Sequence, residues 1–228
     1  QIAAAEALAL RNGDTTVFDL EGCYTPLQGN KASKYRDNVL RNVREGTFEP
    51  EAYYKEPSHE FRPIPYQPGL LIDGYFQSDR YFSDVLDKIQ DLFVLEDYRV
   101  EVGDLTAIHI RRGDYLKFRD IHPVLPIEYY QKAMEIIGGK FMVFSDDPDW
   151  CKENIKGNNI RHSGYRDEVV DLALMTSCKN IIGCNSSFSL MSYLLNKNKN
   201  KIGVFPKVWF GPQGPSFRDV YPSGVLKL

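Results

Sequence analysis

Two adjacent arginines stand in the run His109-Ile-Arg-Arg-Gly-Asp-Tyr115, directly after an apolar stretch beginning at Leu105. A guanidinium presents its donors as a planar fork that matches two oxygens of a phosphate, and Gly113 lets the backbone turn tightly or come close to a ligand. Two further polar runs follow apolar stretches in the same way, Ser145-Asp-Asp147 and Asn185-Ser-Ser-Phe-Ser189. In the last of these Ser186 or Ser187 can cap a helix, whose first amides and positive dipole end favour an anion. Arg111 and Arg112 on one side and a helix start on the other would clamp a diphosphate.

Each run also has an ordinary reading. Paired arginines at a strand end are common ion-pair partners of surface carboxylates. Alternation along the strand puts His109 on the face of Leu105 and Ala107, which suits a core histidine with one hydrogen bond as well as a ligand contact. Ser145-Asp146-Asp147 before Pro148 suits a helix cap, and so do the serines near 186. What favours the functional reading is that all three runs fall where strands end.

The elements that must position these runs are regular from residue 104 onward. Strands are predicted at 105–110, 141–144, 160–162, 180–184 and 202–205, with helices at 127–137, near 149, at 167–177 and at 187–195. Alternation of this kind implies right-handed crossovers and a Rossmann-like parallel sheet covered on both faces, which takes its ligands beyond the carboxyl ends of the strands. The first half is less regular. An alanine-rich helix over 2–10 stops at Gly13, a strand is expected at 15–20, a helix around 35–44, a strand at 69–77 and a helix over 80–93. A chain that opens directly in a helix is expected to be cut from a longer one. The tyrosines and phenylalanines of 21–68 read either as core or as sugar-stacking surface.

Composition narrows the function classes. The 228 residues hold 28 basic and 31 acidic side chains, a net charge of -3, so no overall field draws nucleic acid or an anionic membrane. No run approaches the roughly 18 to 20 apolar residues of a membrane span, and the opening lacks a signal-peptide pattern. Cys23, Cys151, Cys178 and Cys184 fit neither zinc spacing nor a dense disulfide framework and are expected reduced and buried, which suggests a cytoplasmic setting, with association at a membrane left open. His59, His109, His122 and His162 are scattered, and no glycine-rich phosphate loop with its lysine is present, so neither a zinc enzyme nor an ATPase is indicated. Arg112-Gly-Asp114 spells an adhesion tripeptide, but it leaves a strand in an α/β pattern rather than crowning a loop.

Taken in order, Gly74-Tyr-Phe-Gln77, Ile108-His-Ile-Arg-Arg-Gly-Asp-Tyr-Leu116, Tyr129-Tyr-Gln-Lys-Ala133, Phe144-Ser-Asp-Asp147, Asp171-Leu-Ala-Leu-Met-Thr-Ser-Cys178 and Asn185-Ser-Ser-Phe-Ser189 run through most of the chain. Together they resemble the α-1,2-fucosyltransferases of glycosyltransferase family 11. The resemblance implies an α/β, GT-B-like fold of two facing Rossmann-like domains. Residues 1–100 would form the acceptor-side domain, incomplete at its start, and 101–228 the domain that binds the GDP-sugar. It implies an inverting transferase that moves fucose from GDP-fucose to a hydroxyl of a glycan acceptor, with α-1,2 linkage to galactose, no cofactor and no metal.

By position, Arg111 is similar to the arginine that grips the β-phosphate, with Arg112 supporting it. His109 and Asp171 match the guanine readers, and Asn185, Ser186 and Ser187 the helix start at the phosphates. Asp146 and Asp147 match acidic positions of the donor site, and Asp114 is a base or an orienter of Arg111. The family's opening Gly-Gly-x-Gly-Asn-Gln segment is not in this chain, and Leu190-Met-Ser192 stands where Trp-Trp-Gly is usual. Another linkage or GDP-sugar on the same fold, or a non-catalytic nucleotide-sugar or glycan-binding module, are the other readings.

Overall fold

Short side chains let a helix pack closely along one side, and Ile2–Asn12 forms α1 with Ala3, Ala4, Ala7 and Ala9 buried in the computed structural model, which describes residues 1–22, 31–164 and 167–228. Gly13 ends α1 at φ 66°, the left-handed conformation that a glycine after a helix supplies at little cost. The chain divides into two units, Gln1–Asp97 with Arg218–Pro222, and Tyr98–Phe217 with Ser223–Leu228.

The first unit holds a parallel pair of short strands, β1 (Ala52–Lys55) and β2 (Leu70–Asp73), in register from Ala52↔Leu70 to Lys55↔Asp73. Helix α2 (Leu86–Leu92) follows. Its described residues therefore carry a two-stranded sheet, less than the Rossmann-like layer expected there. Three expected elements take other forms. The strand at 15–20 reduces to one bridge, Phe18↔Glu45, since among the described residues no other segment pairs with it. Around 35–44 the amides of Arg36, Asn38 and Arg41 reach carbonyls three residues back, and Asn38 Oδ1 accepts from the Val39 amide, so successive turns replace an α-helix. The helix expected over 80–93 begins only at Leu86, since Phe82 at φ -148° interrupts it between two 3₁₀ turns.

The second unit is a six-stranded, wholly parallel sheet made of β3 (Leu105–Ile110), β4 (Lys140–Ser145), β5 (Ile160–His162), β6 (Asn180–Ile182), β7 (Gly203–Phe205) and β8 (Leu226–Lys227). Helices α3 (Ile127–Ile137), α4 (Pro148–Asn154), α5 (Glu168–Ser177) and α6 (Ser187–Leu195) connect them. Alternation sorts the core into two layers. Ile108, Ile110, Phe141, Val143 and Ile182 pack with Tyr129, Tyr130, Ala133 and Cys151 of α3 and α4. Leu105, Ala107, Phe144 and Ile181 pack with Leu174 and Met175 of α5 and with Phe188 and Tyr193 of α6. The two-residue β8 is too short to show in the sequence pattern, and the four-residue β1 lies in the polar, aromatic 21–68 stretch where no strand is expected.

The strand order is β5-β4-β3-β6-β7-β8. The chain starts in the middle, winds to one side through β4 and β5, then crosses β3 to build the other side. Beyond the carboxyl ends of β3 and β6 the connections diverge, which is where a doubly wound sheet opens a crevice for a ligand. No helix among the described residues is long and apolar enough to cross a membrane. Cys151, Cys178 and Cys184 are buried free thiols, and Cys23 lies outside the described residues.

Candidate functional site

The chain leaves β3 through the two arginines, and the fold gives them different surroundings. Arg111 donates from Nε to Asp114 Oδ1 at 3.0 Å, its Nη2 lies 2.9 Å from the same oxygen, and its Nε is 3.2 Å from Asp146 Oδ2. Arg112 donates from Nε to Asp147 Oδ2 at 3.0 Å and lays its guanidinium 3.8 Å from the centre of the Trp150 ring. Asp146 braces the turn by accepting the Arg112 amide at 2.9 Å. Its approach depends on Gly113, where a Cβ would stand 2.6 Å from Asp146 Oδ2. As a result the Arg112 side chain is 15% exposed and that of Arg111 37%. Arg112 is pinned between an aromatic ring and a carboxylate, which withdraws the arginine of the Arg-Gly-Asp tripeptide from display. Arg111 is oriented by two carboxylates and still faces solvent.

Asp147 serves two neighbours at once. One oxygen holds Arg112, and the other accepts the Trp150 amide at 3.3 Å to cap α4, whose first residue is Pro148. Capping and arginine bracing thus coexist in the Ser145-Asp146-Asp147 run.

At the end of β6, Ser186 caps α6 by accepting the Phe188 amide at 3.3 Å, and Ser187 is exposed in the first turn. Asn185 is buried and structural in its contacts: Nδ2 donates to the carbonyls of Pro123 (3.1 Å) and Trp209 (3.0 Å), while its own carbonyl accepts the Tyr115 hydroxyl at 2.8 Å. That last bond ties the segment after β3 to the segment after β6. Behind the rim, His109 Nδ1 lies 2.6 Å from Ser189 Oγ and 3.3 Å from Cys184 Sγ, and Ser189 Oγ accepts the Cys184 amide at 3.2 Å. Burial first, then the charge of Arg111, pushes the His109 pKa down to about 3, and burial raises the Cys184 thiol to about 12. The floor behind Arg111 is therefore uncharged at neutral pH, which strengthens the field the guanidinium exerts on an arriving anion.

Arg111, Arg112, Asp114, Asp146 and Asp147 thus form one network, and His109, Asn185, Ser186 and Ser187 gather at the neighbouring strand end. Asp171 is not part of either. It sits in the first turn of α5, accepts from Ser163 Oγ at 2.7 Å, and borders a small cavity with Ser145, Pro148, Cys151 and His162. Burial above all, then the charges of Asp167 and Glu168, raises its pKa from 3.8 to about 6. Between those values the native state binds more protons than the unfolded chain, so the contribution of Asp171 to stability declines as pH rises across that window. Asp171→Asn should abolish this slope when urea unfolding is followed from pH 4 to pH 6.5. Parallel wild-type and variant profiles would show that the carboxyl does not titrate there.

Sequence reasoning gave no individual site role to Trp150, Tyr115, Cys184 and Ser189. Ser189 belongs to the polar run that marked the site and had a signal. Trp150 meets Arg112 only through the return of β4, and nothing in its neighbourhood announces the stacking.

A family model described as glycosyl transferase family 11 matches residues 21–213. The O-antigen biosynthesis glycosyltransferase WbnK of Escherichia coli is 36% identical over 171 residues, 66% of this chain and 55% of that protein. An alpha-1,2-colitosyltransferase of Escherichia coli is 28% identical over 177 residues, covering 68% of this chain and 61% of its own length. The galactoside alpha-(1,2)-fucosyltransferase 1 of Homo sapiens is 27% identical over 158 residues, 56% of this chain and 43% of that protein. The chain spans about half the length of the curated relatives it matches.

Proposed function

This chain belongs to glycosyl transferase family 11, and on that footing we propose that it transfers L-fucose from GDP-fucose to a hydroxyl of a galactoside, forming an α-1,2 linkage with inversion. The observation that carries the proposal is Arg111, held by Asp114 and Asp146 at the switch point of a doubly wound sheet yet open to solvent. The names of the relatives support the linkage, since α-1,2 transfer recurs in a fucosyltransferase and a colitosyltransferase.

In this reaction an acceptor hydroxyl attacks the anomeric carbon from the face opposite GDP, the bond to the β-phosphate oxygen breaks, and the hydroxyl proton leaves to a base. The transition state has oxocarbenium character, with negative charge gathering on the β-phosphate. Arg111 meets that charge, and the first amide of α6, at the exposed Ser187, meets the diphosphate. Asp114 orients the guanidinium through its two contacts. Arg112 supports the turn, Asp146 and Asp147 brace both arginines, and His109 and Asn185 hold the strand ends behind the rim. Guanidinium and helix start neutralise the diphosphate without a metal ion.

A transfer assay with GDP-fucose and methyl β-D-galactoside, with the product linkage read by NMR, tests this directly. An α-1,2-fucosylated product, formed equally in EDTA, is expected. Donor binding without transfer would point instead to a binding module, and activity lost in EDTA and restored by magnesium or manganese would overturn the metal-free clamp.

A further inference from the structure

Among the described residues, three buried oxygens from two short neighbouring segments of the first unit find no hydrogen-bond partner: Glu56 Oε1, Ser58 Oγ and Gln77 Oε1. β1 and β2 run parallel and end together at the Lys55↔Asp73 pair, where the Glu56 amide still donates to the Asp73 carbonyl at 2.7 Å. Residues 56–59 and 74–77 therefore leave the sheet from one carboxyl end. Glu56 ties them to each other, its Oε2 accepting the amides of Tyr75 at 2.7 Å and Phe76 at 3.0 Å. The approach is close enough that a Cβ on Gly74 would meet Glu56 Cβ at 2.3 Å.

Within this tie Phe76 is held at φ 47°, in the left-handed region, although its ring is large and buried. A bulky residue is strained there, and such strain concentrates at ligand sites. Buried acceptors without donors are likewise uncommon in a folded protein and call for an explanation. Beside them Tyr75 is 53% exposed and stacks on the His59 ring at 5.3 Å and 24°. This is a braced aromatic surface rather than a freely rotating side chain.

We propose that the carboxyl end of the β1–β2 pair is a carbohydrate subsite, with Glu56, Ser58 and Gln77 accepting pyranose hydroxyls and Tyr75 stacking on the C–H face of the ring. The chemistry selects this ligand class. The Glu56 carboxylate repels phosphate, and a single carboxylate is a poor set for a divalent cation, whereas a neutral sugar brings the donors that all three oxygens lack. That the bound sugar is the acceptor of the transfer rests on the function proposed above.

Saturation-transfer NMR with methyl β-D-galactoside and methyl β-D-glucoside tests the site without donor or turnover. The protein should transfer saturation to at least one glycoside, and Tyr75→Ala should weaken that binding by about tenfold. Ser58→Ala should weaken it by a few fold while leaving the unfolding midpoint unchanged or higher, because it deletes a hydroxyl that has no partner in the fold. A folded protein that transfers saturation to neither glycoside, or variants that bind like the wild type, would overturn the proposal. Tyr75-dependent sugar binding in a protein that transfers no fucose would uphold the site and refute the fucosyl-transfer reading. Fucosyl transfer with an acceptor KM unchanged in both variants would do the reverse.

Discussion

Arg111→Ala should lower turnover by about 10²- to 10³-fold, the loss typical of one well-placed donor to a developing anion. The same change should leave the unfolding midpoint nearly where it is. The Arg111 side chain is partly exposed, its partners Asp114 and Asp146 lie at the surface, and exposed ion pairs contribute at most about 1 kcal/mol. Removing the guanidinium also leaves those two carboxylates unopposed beside the incoming diphosphate, so donor affinity should fall along with turnover. Arg111→Lys should recover little, because an ammonium cannot contact Asp114 and Asp146 with a planar fork and still present donors to a phosphate. Steady-state kinetics with a parallel thermal melt decide the matter. A variant with near-normal turnover would remove Arg111 from the reaction.

Asn185→Asp should act in the opposite sense, on the fold before the chemistry. Both Nδ2 protons of Asn185 are committed to buried carbonyls, at Pro123 and Trp209, and a carboxylate there would set oxygen against oxygen in the interior. Losing two such bonds and leaving their acceptors unpaired costs about 3 kcal/mol. For a chain of this size that corresponds to a fall in Tm of about 6 to 12 °C. An unchanged melt with weakened nucleotide binding would instead mean that the side chain touches the donor.

These two residues mark how far the site was legible in the sequence. The three polar runs announced themselves because β3, β4 and β6 are apolar and the sheet places their carboxyl ends along one rim. The distinction between Arg111 and Arg112 was not legible, since it depends on Trp150 and Asp147, which reach Arg112 only after α3 and β4 have brought the chain back. Asn185 looked like a phosphate contact because its neighbours cap a helix, and only the return of the 206–210 segment shows it serving as a brace. Asp171, grouped with His109 on motif position, lies at the end of β5 against Ser163, on a different strand end.

Elements followed the same division. The strands and helices from Leu105 to Phe205 fall close to where alternation and helical spacing put them, because each buries a face against an adjacent element. In the first unit the expected strand at 15–20 forms, among the described residues, only the single bridge to Glu45. The 35–44 segment, with Asp37 and Asn38 at its centre, turned repeatedly instead of propagating a helix. The first outcome depends on which distant segments are available for pairing, which local composition cannot reveal, and the second on short polar side chains that bond nearby amides.

The most direct test is calorimetric titration of the protein with GDP and GDP-fucose, beside the Arg111→Ala variant. The rim at the ends of β3 and β6 predicts that the wild type binds both nucleotides and that the variant binds them at least about tenfold more weakly, the cost of one charge-assisted contact to phosphate. A folded wild type that binds neither nucleotide, or a variant that binds both as well as the wild type, would contradict it.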